Sequence, residues 1–198
     1  MSQKFKSSSK QFLIWFLANI IGFGALGVLI LVFPFILGRA GFFITTFFLA
    51  IPISLSQWIV LRRSLQTSVF WILTIPVGIP LSFLLMNLIP AGYWFEADDD
   101  SLVAMTSMIF VIGLVIGLLQ WIILRKHLLR ASIWILGSAI AVAVSFWLIS
   151  ATGLIDQSGI IAYVSVALVY SGLTGLVLSG LLTYNNQSQP SLAEQNEG

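Results

Sequence analysis

Cysteine is absent from the chain, and histidine occurs once. Without thiols there is no disulfide, no thiolate nucleophile and no cysteine-held metal. Charged residues make up only 8% of the sequence, against about 25% in a soluble domain. So few charges cannot cover a water-facing surface. The 59% of hydrophobic residues and the mean hydropathy of +1.03 make lipid the expected solvent.

What is present is apolar and long. Six stretches free of Asp, Glu, Lys, Arg and His can be drawn: Phe12–Leu37, Gly41–Leu61, Ser68–Pro90, Leu102–Leu124, Ala131–Gly153 and Gly159–Tyr184. Each reaches the ~20 residues needed to cross a hydrocarbon core. The expected class is all-α and integral to the membrane, with six transmembrane helices over residues 12–184. Residues 1–11 then form a cytoplasmic N-terminal segment and 185–198 a disordered cytoplasmic tail, polar and poor in hydrophobes. The first stretch follows Lys4, Lys6 and Lys10 as a signal peptide would, but it is too long and no small-x-small cleavage site follows. It reads as a retained helix.

Basic residues set the expected orientation. With the N-terminus inside, the inside segments hold Lys4, Lys6, Lys10, Arg62, Arg63, Arg125, Lys126 and Arg130, and the outside holds only Arg39. The positive-inside rule therefore places both termini in the cytoplasm.

One part of the chain occurs twice. Ser54–Phe83 aligns without gaps on Gly117–Phe146, 63 residues later, with 12 of 30 positions identical. Among the identities are Gln57, Trp58, Leu61, Arg62, Trp71 and Phe83. Both copies run from an apolar segment through a basic turn into another apolar segment, so the repeated unit is a helical hairpin. Lys6 and Trp15 align with Arg62 and Trp71, and Tyr184 aligns with Trp121. Helices 1 and 6 thus resemble the two halves of a third hairpin split across the termini. Three hairpins predict a ring with approximate three-fold symmetry, which requires helix 1 to lie beside helix 6.

The Gln-Trp-x-x-Leu-Arg hairpin, with a second Trp 13 residues after the first, resembles multi-pass membrane proteins of uncharacterised function from cyanobacteria and other bacteria. The resemblance covers helices 2–5 well and the termini loosely. It implies a bacterial inner (plasma) membrane or a thylakoid membrane, and it carries no activity with it.

Two groups of residues are candidate sites. Trp58 with Arg62 and Arg63, and Trp121 with Arg125 and Lys126, form a basic, aromatic rim at the cytoplasmic end. Such a rim anchors helices in the headgroup layer, or binds anionic lipid or a partner protein. Asn19, Gln57, Asn87 and Gln120 are polar residues within apolar stretches. An amide in hydrocarbon needs a partner, so these should bond between helices or line a shared polar site.

Other motifs read as structural. Gly22, Gly24 and Gly27 match the spacing of a dinucleotide fingerprint, yet lie inside a spanning helix. With Gly113/Gly117, Gly175/Ser179 and Ala139/Ala143 they belong to surfaces where helix backbones approach closely. Pro34, Pro52, Pro76 and Pro80 should bend helices 1 to 3, and helix 3 is the expected distorted element. The acidic run Glu96, Asp98, Asp99 and Asp100 lacks the spacing of a calcium loop. His127 reads as an exposed residue of a basic turn.

Intramembrane proteolysis, ion-coupled transport and haem or quinone work all place ionisable side chains at depth. The six stretches contain none. The expectation is a protein that is not an enzyme, with no cofactor, no metal and no nucleic-acid partner. Its partners are the lipid bilayer and other membrane protein subunits. A scaffold, assembly factor or small subunit of a membrane complex fits these absences; a carrier or substrate-capture subunit for a neutral or lipophilic small solute is the alternative.

Overall fold

A computed structural model describes residues 8–32, 38–88, 102–153 and 159–195. These form six α-helices: α1 (Ser8–Val32), α2 (Gly38–Leu65), α3 (Thr74–Asn87), α4 (Leu102–Leu124), α5 (Ile133–Ala151) and α6 (Gly159–Gln195). A 3-10 turn, Val69–Leu73, leads into α3. The all-α class stands. Among the described residues, five helical segments are long and apolar enough to cross a membrane: Ser9–Val28, Val69–Asn87, Leu102–Leu124, Ile133–Ala151 and Ile161–Ser188.

The helices close a ring. Each packs on its neighbours in sequence, and α6 packs back against α1. Helices 1 and 6 are therefore adjacent, as a split hairpin requires.

Their faces are arranged opposite to those of a soluble bundle. On α5, Trp134, Ser138, Ala141, Ser145 and Ile149 are buried at spacings of three and four, one helix face, while Leu136, Ile140 and Trp147 are exposed. Small and polar groups point inward and large aliphatic ones outward. This suits lipid, where outward apolar groups cost nothing and association rests on close packing.

Close packing is visible at the glycines. A Cβ added to Gly113 would stand 2.7 Å from the Ala139 Cα, and one on Gly22 would stand 2.8 Å from the Ile53 Cα. Gly24 and Gly27 have open space instead, so only Gly22 of that trio serves a contact. Replacing Gly113 with Val should cost about 1–3 kcal/mol, because the backbone of α5 cannot yield as a flexible side chain does. The expected result is a lower midpoint of thermal unfolding in detergent, with Gly24→Val as the unaffected control.

The expectation of a distorted third helix has a local cause. Pro76 lacks the N–H that would donate to the Ile72 carbonyl, so the segment ahead of it cannot run as regular α-helix. It tightens into the 3-10 turn, closed by the Ser68 hydroxyl accepting from Phe70 N. Pro52 and Pro80 lie inside α2 and α3, which continue through them. Pro34 lies outside the described residues.

The last helix departs from expectation. It does not stop at Tyr184 with a disordered tail but runs to Gln195. At the start of the extension Asn185 is buried and its Oδ1 accepts from Leu129 N at 3.3 Å. This bond fastens the end of α6 to the α4–α5 turn, a long-range contact that composition does not reveal. The acidic segment expected between helices 3 and 4, including Asp99, lies outside the described residues, as do Lys4 and Lys6.

Candidate functional site

The basic end of the ring is defined by the start of α1, the end of α2, the 3-10 turn, the α4–α5 turn and the end of α6. Just inside it lies an aromatic core. Trp15, Trp71 and Trp134 are all fully buried. Trp134 meets Trp15 edge-on at 5.7 Å between ring centroids and Trp71 at 6.4 Å. Leu61, Leu65, Leu124, Leu128, Leu178 and Leu182 surround the three indoles.

Each indole N–H needs an acceptor in this dry setting, and each has one. Trp71 Nε1 donates to Gln57 Oε1 at 3.2 Å, and Trp134 Nε1 donates to Gln120 Oε1 at 2.8 Å. The same bond thus recurs 63 residues apart. Trp15 Nε1 donates to Thr174 Oγ1 at 3.0 Å, and Thr174 in turn donates to the Tyr170 carbonyl.

The amides then bond one another. Gln57 Nε2 donates to Asn19 Oδ1 at 2.8 Å, and Asn19 Nδ2 donates to the Trp15 carbonyl at 2.9 Å. Gln120 Nε2 lies 3.4 Å from both Gln57 Oε1 and Thr74 Oγ1. The knot joins α1, α2, α3 and α4, and through its indoles α5 and α6. Asn19, Gln57 and Gln120 are fully buried. The buried polar side chains of the described bundle are all amides and hydroxyls, so the knot can donate and accept hydrogen bonds but carries no charge.

Of the four polar residues singled out by sequence, three therefore come together. Asn87 does not. It sits at the far end of α3, exposed, with Nδ2 donating to the Phe83 carbonyl at 2.7 Å. Four residues back along a helix is within reach of an amide, and this satisfies it locally. The three core tryptophans were not singled out, although their signal was present: Trp71 and Trp134 are identical across the repeat and Trp15 aligns with them.

The rim has the geometry its spacing implies. The Arg62 guanidinium lies 4.7 Å from the Trp58 ring centroid and Arg125 lies 5.1 Å from that of Trp121. Arg130 covers Tyr184 at 4.4 Å, so the aromatic aligned with Trp121 also has its cation, supplied from the α4–α5 turn. Arg63 and Lys126 are exposed beside them. Residues four apart share a helix face, which accounts for the first two pairs. Among the described residues, Arg62, Arg125 and Arg130 each rest on an aromatic ring.

Setting Tyr184 against Trp121 puts Thr183 opposite Gln120, yet Thr183 is exposed and bonds the Ser179 carbonyl. Thr174, further from the basic end, receives the indole instead. Thr183 faces outward on α6, and the third indole bonds Thr174, on a different turn of that helix.

The chain matches no protein-family model, no curated protein and no solved structure.

Proposed function

We propose that this chain is a non-catalytic integral membrane protein of a bacterial inner or thylakoid membrane, serving as a scaffold, assembly factor or small subunit of a membrane complex. In this reading it spans the bilayer six times with both termini in the cytoplasm, as three hairpins around an approximate three-fold axis, one hairpin split across the termini. The cyclic packing of α1 to α6 and the recurrence of the Trp–Gln bond support the hairpin plan. The exposed aliphatic surface, including Ile21, Val103 and Leu176, supports the lipid setting.

One observation carries the scaffold reading. The amides that would have handled a polar solute, Asn19, Gln57 and Gln120, are spent on one another and on the indoles. A knot of this kind locks the six helices and leaves the rim free. Trp58, Arg62, Arg63, Trp121, Arg125 and Lys126 then face anionic headgroups or a partner subunit on the cytoplasmic side, where the leaflet is negatively charged.

A carrier for a small neutral solute is the second reading. It is favoured by two buried serine hydroxyls without partners, Ser54 and Ser171. Purification of the tagged protein from its native membrane in mild detergent, with mass spectrometry of all that is retained, separates the two. A stoichiometric protein partner is the expected result. A bound small molecule with no partner would replace the scaffold reading with the carrier.

The absence of cysteine makes the topology directly testable. A single cysteine placed at Asp99 should react with a membrane-impermeant maleimide in intact cells. Cysteines at Ser9 and Ser132 should react only after lysis. The reverse pattern would overturn the orientation.

A further inference from the structure

We infer that the basic ends of α2 and α4 each carry a site for one anionic phospholipid. An outward aliphatic face receives the acyl chain, and the arginine that ends this face receives the phosphate. The inference deepens the reading of the rim and rests on its membrane setting, whether the protein is scaffold or carrier.

The same outward face occurs twice. On α2, Leu55, Ile59 and Arg62 stand four and three residues apart, which aligns them along one side of a helix. All three are exposed. Leu118, Ile122 and Arg125 repeat this spacing 63 residues later, again exposed. Arg125 follows the last residue of α4, but its N–H still bonds the Trp121 carbonyl at 2.9 Å, so the helical course continues through it. From leucine to arginine the rise is roughly 10 Å at 1.5 Å per residue. Each face is thus aliphatic along its length and cationic at its end. The next residue adds a second exposed charge, Arg63 in one copy and Lys126 in the other.

The arginines are held in place by their rings, 4.7 Å from Trp58 and 5.1 Å from Trp121. A ring attracts the cation but offers no oxygen, so the guanidinium N–H groups stay available to a phosphate, which can take two of them side by side. A phosphatidylcholine headgroup brings its own ammonium and sets like charge against the arginine. An anionic headgroup does not. A protein capping the basic end would meet the cations but not the aliphatic faces, which run along the sides of the ring. With α3 packed between α2 and α4, the two faces are also separate. A bilayer reaches both and supplies acyl chain and phosphate together.

The third aromatic lacks the same setting. Arg130 covers Tyr184, yet the exposed positions leading to it along α6 are Leu176, Gly180 and Thr183. No continuous aliphatic face ends at this cation, so it completes no third site.

The test uses the purified full-length protein in mild detergent. Phosphatidylglycerol or phosphatidylcholine with the same acyl chains is added, and native mass spectrometry counts the lipids bound. Two phosphatidylglycerol molecules should bind severalfold more tightly than phosphatidylcholine. Arg62→Gln and Arg125→Gln should each remove one of them. Arg39→Gln, which deletes a charge at the other end of α2, should remove none. Equal binding of the two lipids by the unaltered protein overturns the inference and leaves the rim to a protein partner. A preference that survives Arg62→Gln and Arg125→Gln combined also overturns it, as does one that Arg39→Gln weakens equally. Displacement by an equal concentration of inorganic phosphate would reduce each site to a plain anion site and overturn the lipid assignment. A third lipid bound as tightly would show that charge suffices without the aliphatic face, and would overturn the two-site assignment. This assay contains no partner protein, so its outcome is independent of the partner search that tests the scaffold reading.

Discussion

Trp134→Ala should be the most damaging single substitution in this protein, costing about 3–5 kcal/mol on the scale of buried tryptophan truncations. The expected readout is a large loss of thermal stability in detergent or a failure to accumulate in the membrane. Trp134 is the hub of the aromatic core, fully buried and in contact with both Trp15 and Trp71. In water much of such a penalty is lost transfer energy. In lipid that part shrinks, because the unfolded helices already sit in an apolar medium. The cavity remains, since helices fixed by the other contacts of the ring cannot collapse around it. The indole also leaves Gln120 Oε1 without its donor. Trp134→Phe separates the two effects, keeping most of the volume while removing the N–H. It should cost clearly less than alanine; equal losses would mean that the hydrogen bond dominates and the packing argument is wrong.

Changing Gln57 and Gln120 together to leucine should come next, at about 2–3 kcal/mol. Two estimates bracket it. A hydrogen bond between membrane helices contributes about 0.6 kcal/mol on average, which would make the loss small. A buried donor left unpaired costs about 1–3 kcal/mol, and the double change orphans the Trp71 and Trp134 indoles and strips Asn19 Oδ1 of its donor. The second effect wins, because the indoles are sealed among leucines with no route to water. Membrane insertion should persist, since leucine only adds to the apolar runs. Unchanged thermal stability in the double variant would show that the knot does not lock the ring. Preserved stability with a lost cellular phenotype would point to a ligand-handling role for the glutamines.

Much of this fold was legible before any coordinates. Helices in hydrocarbon satisfy their own backbone, so an uncharged run of spanning length already implies a helix, and Leu102–Leu124 was bounded to the residue. The Trp–Gln bonds could be anticipated because Gln57 and Trp71 recur at the same spacing as Gln120 and Trp134. The Arg62–Trp58 and Arg125–Trp121 contacts followed from residues four apart sharing a face. These are local properties, encoded within a turn or two of chain.

What only the tertiary structure decided was azimuth and long-range partnership. Asn19 and Asn87 look alike in sequence, each an amide in an apolar run. Ring closure turned Asn19 inward onto Gln57, while Asn87 stayed outside near a helix end. Trp58 and Trp71 are equally invariant across the repeat, yet one holds an arginine at the rim and the other enters the core. Composition marked residues 185–198 as a free tail; one bond from Asn185 to the α4–α5 turn anchors the start of the helical extension. The first two cases share a physical reason. A helix that is apolar on every side carries no amphipathic stripe to announce its inner face, so that face is chosen by which neighbours close the ring.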